Sequence, residues 1–184
     1  MDKKTLRKRY IAQRMAIEEV DWQKRSQKIC DHLYEFCFKF DKVSQVFFFH
    51  PMRKEPNILK LASKLSEHYK LALPRISNKE MLFHHWNIET SLLKHSFSIE
   101  EPHESSEILK ADEHTLVLVP NLAMDTYGYR LGYGAGFYDK FLSEYPQVIS
   151  VAVNFSEFLV DELPRDSWDK KVQWMCTELG VTKP

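Results

Sequence analysis

Apolar side chains recur at helical spacing in the first forty residues. Four of them stand at i, i+4, i+7 and i+11: Ile29, Leu33, Phe36 and Phe40. This spacing places all four on one face of a helix. We therefore expect helices over residues 3–17 and 21–40, with Asp21 as the N-cap of the second helix.

After residue 40, short apolar runs alternate with amphipathic segments. The runs that predict strands cover residues 46–49, 70–73, 81–86, 115–119 and 148–153, and the segments that predict helices cover residues 58–65 and 138–145. Residues 115–119 are mostly β-branched or leucine, which is typical of a central strand in a covered parallel sheet. The alternation predicts one α/β domain over residues 1–184, a sandwich with a mostly parallel sheet.

Composition and charge narrow the class of protein. The chain is 43% hydrophobic, and its 26 Lys and Arg balance its 26 Asp and Glu, so it lacks the basic excess of a dedicated nucleic-acid binder. No apolar run approaches the roughly 18 residues that span a bilayer. The chain has three cysteines, an odd and small number that argues against a disulfide framework. This favours a reducing compartment. We expect a cytoplasmic protein with no membrane or nucleic-acid partner.

Glycine is concentrated in one short segment. Four of the five glycines are Gly128, Gly132, Gly134 and Gly136. The segment follows a predicted central strand and precedes a predicted helix, a place where backbone N–H groups cradle phosphate. Arg130 adds a cation for phosphate oxygens, and Asp139 adds a carboxylate suited to Mg²⁺. The G-x-G-x-G pattern matches neither the dinucleotide fingerprint nor the Walker loop, so a glycine-rich turn with core aromatics explains it about equally well.

A longer stretch around these glycines resembles a known family. Residues 118–139 read LVPNLAMDTYGYRLGYGAGFYD. They are similar to the signature V-P-G-L-A-F-D-x-x-G-x-R-L-G-Y-G-G-G-Y-Y-D of the 5-formyltetrahydrofolate cyclo-ligase family. The resemblance implies a three-layer α/β sandwich of the NagB/RpiA/CoA-transferase-like class. It also implies ATP- and Mg²⁺-dependent cyclisation of 5-formyltetrahydrofolate to 5,10-methenyltetrahydrofolate, with release of ADP and phosphate. We expect the protein to be a monomer.

The resemblance assigns the nucleotide site to two segments. The family's Lys-x-x-x-Arg pair is matched by Lys3 and Arg7, which share one face of a helix. The implied catalytic residues are Arg130, Lys3 and Arg7. The implied ATP contacts are Lys3, Lys4, Thr5, Leu6, Arg7, Arg130, Leu131, Gly132, Tyr133, Gly134, Ala135, Gly136, Phe137 and Tyr138.

The resemblance also assigns a folate site and a metal site. The implied folate contacts are His50, Glu55, Tyr133, Gly134, Ala135, Gly136 and Phe137, and the implied Mg²⁺ ligands are Asp139 and Asp169. Trp168 stands where the family usually has His, and Asp166 is near enough in sequence to compete with Asp169 for the metal. Ala135 replaces the middle glycine of the triplet, which is tolerable if its φ is negative.

Three other classes of protein are weighed against this enzyme. A non-catalytic relative that binds a nucleotide or folate would fit the substitutions at Phe137 and Trp168. A sugar-phosphate isomerase or an acyl-carrier transferase would share the architecture, but that rests on analogy of fold. The basic N-terminal run is the one feature that suggests an RNA-binding protein, and the zero net charge opposes it.

Overall fold

A computed structural model of the chain describes residues 1–94 and 100–184. The helices are α1 (Lys3–Met15), α2 (Glu19–Cys37), α3 (Ala62–Leu65) and α4 (Phe137–Glu144), with 3-10 turns at Ile58–Leu61 and Ser156–Phe158. The strands are β1 (Gln45–Phe47), β2 (Lys70–Ser77), β3 (Glu80–His85), β4 (Leu93–Lys94), β5 (Glu100–Glu101), β6 (Thr115–Pro120), β7 (Ala123–Asp125), β8 (Arg130–Leu131), β9 (Ile149–Val153), β10 (Leu159–Val160), β11 (Trp174–Thr177) and β12 (Gly180–Thr182).

A central sheet organises the described part of the chain. Its seven strands run in the order β12-β11-β9-β6-β1-β2-β3. The inner pairs are parallel, for example Val46 beside Leu116 and Val119 beside Ala152. Antiparallel strands, β12 and β3, close the two edges. The prediction of an α/β fold with a mostly parallel sheet is confirmed.

The two faces of the sheet carry separate apolar cores. Val46 and Phe48 pack with residues of α1, α2 and α3, whereas Phe47 packs with Phe141 of α4 on the other face. This alternation follows from the two-residue period of a strand. Helices therefore cover both faces, as a three-layer sandwich requires. Within the described residues, no helix has the length and apolar character needed to cross a membrane.

Some predicted element boundaries are wrong. Asp21 is not the N-cap of α2, because the helix begins at Glu19 and Glu18 occupies the cap position. Asp21 lies in the first turn instead, where a carboxylate is favoured by the helix dipole. The segment 58–65 is a 3-10 turn followed by the short helix α3, rather than one continuous helix.

The glycine segment does not follow the central strand directly. Strands β7 and β8 come between β6 and Gly132, and they form a small three-stranded sheet with β10, in the order β10-β7-β8. Asp125 shapes its β7–β8 turn: the side chain is fully buried and accepts hydrogen bonds from the N–H groups of Tyr127 and Tyr129. The turn is built from backbone contacts that hydrophobic periodicity does not reveal. It returns the chain into β8, which pairs antiparallel with β7.

Candidate active site

Helix α1 brings two predicted cations to two other parts of the chain. The Lys3 ammonium lies 2.6 Å from a carboxylate oxygen of Asp166 and 2.5 Å from one of Asp169. The Arg7 Nε donates a hydrogen bond of 2.9 Å to the carbonyl oxygen of Gly132. Cations in the first turn oppose the helix dipole, and the two carboxylates offset this at Lys3. The predicted Lys-x-x-x-Arg pair therefore lies against the glycine segment and the C-terminal carboxylates.

The glycine loop, residues 132–136, has an open backbone. Gly134 and Gly136 have positive φ values of +107° and +72°, and Gly136 is the N-cap of α4. Ala135 is not among the residues with positive φ, so it meets the condition set by the sequence. A Cβ atom built on Gly132 or Gly136 meets no atom within 4 Å. The space beside this backbone and the N-terminus of α4 is suited to an anionic ligand.

Gly134→Ala is expected to lower the free energy of unfolding by about 1–2 kcal/mol, because a side chain strains a left-handed backbone. Its Cβ would also lie 3.2 Å from the guanidinium carbon of Arg7. Urea denaturation measures the change. Gly132→Ala is the matched control, since its φ is not positive and its Cβ meets open space. Equal destabilisation by the two substitutions would contradict the explanation.

Arg130 is buried and fixes the carboxylate of Asp139. Its side chain is 3% exposed, and it donates to the carbonyl oxygen of Lys170 at 2.7 Å and to Asp139 Oδ1 at 3.1 Å. The N–H of Lys170 donates to the same carboxylate oxygen at 3.0 Å. Burial lowers the pKa of Arg130, and Asp139 opposes this shift. Arg130 therefore orients the side chain of the predicted metal ligand Asp139.

The two predicted metal ligands each keep one oxygen uncommitted. Asp139 Oδ2 and Asp169 Oδ1 accept no hydrogen bond from the residues that the structure describes. The described residues contain no cluster of three or more His, Cys, Asp or Glu arranged to hold a metal. Magnesium in nucleotide sites is typically held by one or two carboxylates together with phosphate oxygens and water. The Asp139 and Asp169 donor set fits that description.

The structure of residues 166–169 distinguishes Asp169 from Asp166, the competing candidate for the metal, and shows the position of Trp168. Both Asp166 and Asp169 contact Lys3, but the side chain of Asp166 is 41% exposed and that of Asp169 is 13% exposed. The Asp166 N–H also donates to Asp169 at 2.7 Å. Trp168 is exposed and leaves this arrangement in place. Asp169 is therefore the better-ordered carboxylate of the two.

Glu55 lies buried in the loop after β1, close to Tyr133 of the glycine loop. The Tyr133 hydroxyl donates to Glu55 Oε1 at 3.0 Å, and the N–H of Met52 donates to Oε2 at 3.0 Å. Burial raises the pKa of Glu55 to about 7, and the positive charge of Arg14 works against this rise. Two predicted folate contacts, distant in sequence, are thus brought into direct contact.

Two further predicted residues have buried polar atoms without partners among the described residues. These are Nδ1 of His50 and the hydroxyl of Tyr138. His50 Nε2 lies 3.5 Å from a carboxylate oxygen of Glu100, and burial lowers the pKa of His50. An unpaired buried polar atom costs about 1–3 kcal/mol, so a ligand or water that pairs with it is favoured.

The remaining predicted contacts to the nucleotide and the folate differ in the exposure of their side chains. Leu6 and Leu131 belong to the core on the α1 face, and their backbones are hydrogen-bonded to Asp2 and Leu122, so the structure shows no group of either residue turned to a nucleotide. Lys4 and Thr5 are exposed on α1. Phe137 lines a cleft of about 190 Å³ between α4 and β3.

Arg14 is the residue that the sequence-based reasoning missed. It is fully buried and donates to the hydroxyl of Tyr133 and, at 2.7 Å, to the carbonyl oxygen of Asn121. The available signal was its spacing, since Arg14 follows Arg7 by two helical turns and shares its face.

Comparisons with known proteins show which family the chain resembles. A model of the 5-formyltetrahydrofolate cyclo-ligase family matches residues 1–178. The 5-formyltetrahydrofolate cyclo-ligase of Escherichia coli (strain K12) is 30% identical over 104 residues, which cover 55% of this chain and 57% of that protein. The match thus spans a little over half the length of this curated relative.

Two solved structures cover more of the chain. The structure of Aquifex aeolicus 5,10-methenyltetrahydrofolate synthetase superposes with a TM-score of 0.87 at 29% identity, covering 100% of this chain and 93% of that one. The 5,10-methenyltetrahydrofolate synthetase from Mycoplasma pneumoniae has a TM-score of 0.77 at 20% identity, covering 97% and 99%, and supports the fold alone. With the family model matched across nearly the whole length, the chain belongs to the 5-formyltetrahydrofolate cyclo-ligase family.

Proposed function

We propose that this protein uses ATP and Mg²⁺ to cyclise 5-formyltetrahydrofolate to 5,10-methenyltetrahydrofolate, with release of ADP and phosphate. The observation that carries the proposal is the convergence, in a member of this family, of Lys3, Arg7 and the glycine loop with two ordered carboxylates. The buried Glu55 and Tyr133 adjoin the same loop, so a nucleotide and a folate have separate places on either side of it.

The triphosphate would lie along the glycine loop. Arg7 is already anchored on Gly132, and its remaining guanidinium donors are suited to phosphate oxygens. Lys3 would exchange its carboxylate partners for phosphate oxygens. The loop N–H groups and the N-terminus of α4 add fixed dipoles. Arg130 would act from behind by holding Asp139, and a direct contact with phosphate would need it to leave Asp139 or Lys170.

Asp139 and Asp169 would hold Mg²⁺ through their uncommitted oxygens. When bound, the ion would neutralise phosphate charge during the transfer. Arg130 and the N–H of Lys170 fix the orientation of the Asp139 carboxylate. Asp166 orients Asp169 through its backbone N–H. The described residues thus orient both carboxylates through hydrogen bonds.

The folate would be held by the buried polar groups after β1, by Tyr133 of the glycine loop and by Phe137 at the start of α4. The edge of a pterin ring carries adjacent N–H donors, and a carboxylate such as Glu55 can accept two of them. His50 Nδ1 is a second buried atom that needs a partner. Tyr133 and Phe137 offer flat surfaces for the folate rings. This placement aligns the formyl oxygen with the γ-phosphate.

The proposed reaction has two steps. The formyl oxygen attacks the γ-phosphorus, an O–P bond forms, and the bond from the γ-phosphorus to the bridging oxygen breaks to release ADP. Nitrogen 10 then attacks the activated carbon. Its proton is lost and the C–O bond breaks, so phosphate leaves and the methenyl bridge remains. Phosphoryl transfer depends on alignment and charge neutralisation more than on covalent catalysis, which agrees with the residues present.

The first test is the appearance of the methenyl chromophore when purified protein receives 5-formyltetrahydrofolate, ATP and Mg²⁺. We expect formation to require all three components. If the protein binds both ATP and the folate but forms no methenyl product, the non-catalytic relative becomes the correct reading.

Compartment and assembly are separate proposals. Cys30, Cys37 and Cys176 are buried and free, and burial raises the pKa of Cys30 to about 11 and of Cys37 to about 12. Thiols of this kind are structural rather than reactive and suit a reducing compartment. We place the protein in the cytoplasm as a monomer, and analytical ultracentrifugation tests the second statement.

A further inference from the structure

Arg14 is a buried cation that contacts four residues in three separate parts of the chain. It lies in the last turn of α1 and is 0% exposed. Its Nε donates to the carbonyl oxygen of Arg53 at 3.0 Å and its Nη1 to that of Asn121 at 2.7 Å. Its Nη2 donates to the hydroxyl of Tyr133 and lies 3.7 Å from Glu55 Oε1. Burying a guanidinium is costly unless it is paired and hydrogen-bonded, so this position needs an explanation.

The negative charge that faces Arg14 is the Glu55 carboxylate. Tyr133 connects the two, since its hydroxyl accepts from Arg14 and donates to Glu55. Its ring is also close to two cations, with the Arg14 guanidinium 5.9 Å and the Arg53 guanidinium 5.5 Å from the ring centre. The charged pair and the tyrosine therefore form one connected group.

We propose that Arg14 is a positioning residue that holds the Glu55 carboxylate, with the Tyr133 hydroxyl beside it, in the charged arrangement that receives the pterin ring. This inference rests on the proposed function. From the residues at 1–94 and 100–184, each Glu55 oxygen accepts one hydrogen bond, which leaves it a lone pair for a ligand. An ionised carboxylate accepts from two pterin N–H donors, whereas a protonated carboxyl presents a donor to one of them.

The ionisation of Glu55 is balanced between burial and nearby cations. The titratable and charged groups facing it are Arg14 of α1, Arg53 of its own loop, Tyr133 of the glycine loop and Tyr138 of α4. Burial raises the pKa of Glu55 to about 7, and the two arginines oppose the rise. Removal of the Arg14 charge would move the pKa higher still, and Glu55 would be mostly neutral at pH 7.

The competing explanation is that Arg14 has a purely structural role. Arg14 could merely fix the carbonyl oxygens of Arg53 and Asn121, and Arg53 does have a positive φ of 48°. Lysine at position 14 separates the two roles, because it retains the charge but not the planar fork of donors. Arg9 is the matched control: it is exposed on the same helix, with its guanidinium 5.7 Å from the Tyr10 ring centre.

The first measurement is a carboxyl-carbon NMR titration of protein labelled in glutamate. The Glu55 signal is assigned by its loss in Glu55→Gln. We expect a midpoint near pH 7 in the wild type and in Arg9→Gln, and a midpoint higher by about one unit or more in Arg14→Gln. Arg14→Lys should remain within about 0.5 unit of the wild type. A folded Arg14→Gln protein with the wild-type midpoint would overturn the proposal.

The second measurement is the KM for each substrate as a function of pH. At pH 7, Arg14→Gln should raise the KM for 5-formyltetrahydrofolate about tenfold, recovering at higher pH, while the KM for ATP changes less than about twofold. If Arg14→Gln does not fold, Arg14→Lys provides the test. A KM for the folate that rises about tenfold in Arg14→Lys, while the Glu55 midpoint is unchanged, would show that Arg14 only fixes the two carbonyl oxygens, and it would overturn the proposal. Failure of the proposed function would give a different result: the wild-type protein would show no turnover, although Glu55 would still titrate as expected.

Discussion

Asp139→Asn is expected to slow ATP-dependent turnover about 10²–10³-fold, because the uncommitted oxygen that would bind Mg²⁺ is lost while the fold is kept. Asparagine retains an oxygen that can accept from Arg130 and from the N–H of Lys170. Alanine is a poorer choice, since it would leave the buried guanidinium of Arg130 without its carboxylate partner.

The measurement is kcat at saturating ATP over a range of Mg²⁺ concentrations, with thermal unfolding as a check on the fold. Glu144→Gln is the matched control, an exposed carboxylate on the same helix, α4. Its kcat and Mg²⁺ dependence should equal those of the wild type. A wild-type Mg²⁺ dependence in folded Asp139→Asn would remove Asp139 from the metal site.

Arg7→Gln should lower kcat/KM for ATP about 10²–10³-fold, since it deletes the cation that lies on the glycine loop. Arg7 is anchored there by its hydrogen bond to Gly132, and its guanidinium would contact any side chain at Gly134. Glutamine keeps polarity but cannot neutralise a phosphate. Binding of 5-formyltetrahydrofolate in the absence of ATP should be unchanged.

Steady-state kinetics with each substrate varied in turn checks this expectation. Lys8→Gln is the control, because Lys8 is an exposed cation next to Arg7 in the same helix. It should behave as the wild type. An Arg7→Gln enzyme whose defect lies wholly in the KM for the folate would show that Arg7 does not belong to the nucleotide site.

The periodicity of apolar residues predicts most of the strands and helices, but it does not predict the turns that connect them or the order of the strands in the sheet. Residues 115–119 were predicted as a strand and form most of β6, because a β-branched and leucine run leaves few other options. The β7–β8 turn was not predicted, since it depends on the buried Asp125 accepting backbone N–H groups. Strand order also depends on contacts distant in sequence, which a periodic pattern does not contain.

In the candidate active site, too, the sequence indicates residues but not the contacts between them. Resemblance alone indicated Lys3 and Asp169, but not that they pair with each other across 166 positions of sequence. Arg14 was missed because a basic residue on a basic helix is usually solvated, and only the packed structure shows it buried against Tyr133 and Glu55. Burial and partner choice are properties of the tertiary structure, so sequence alone could not rank these cations.

The central claim is that the formyl oxygen is phosphorylated by ATP before nitrogen 10 closes the ring. The most direct measurement follows an oxygen isotope placed in the formyl group of 5-formyltetrahydrofolate during turnover by the purified protein with ATP and Mg²⁺. The proposal predicts one ADP for each methenyl product, with the label recovered in the released phosphate. Methenyl formation with unlabelled phosphate, or no methenyl product from protein that binds both substrates, would contradict it.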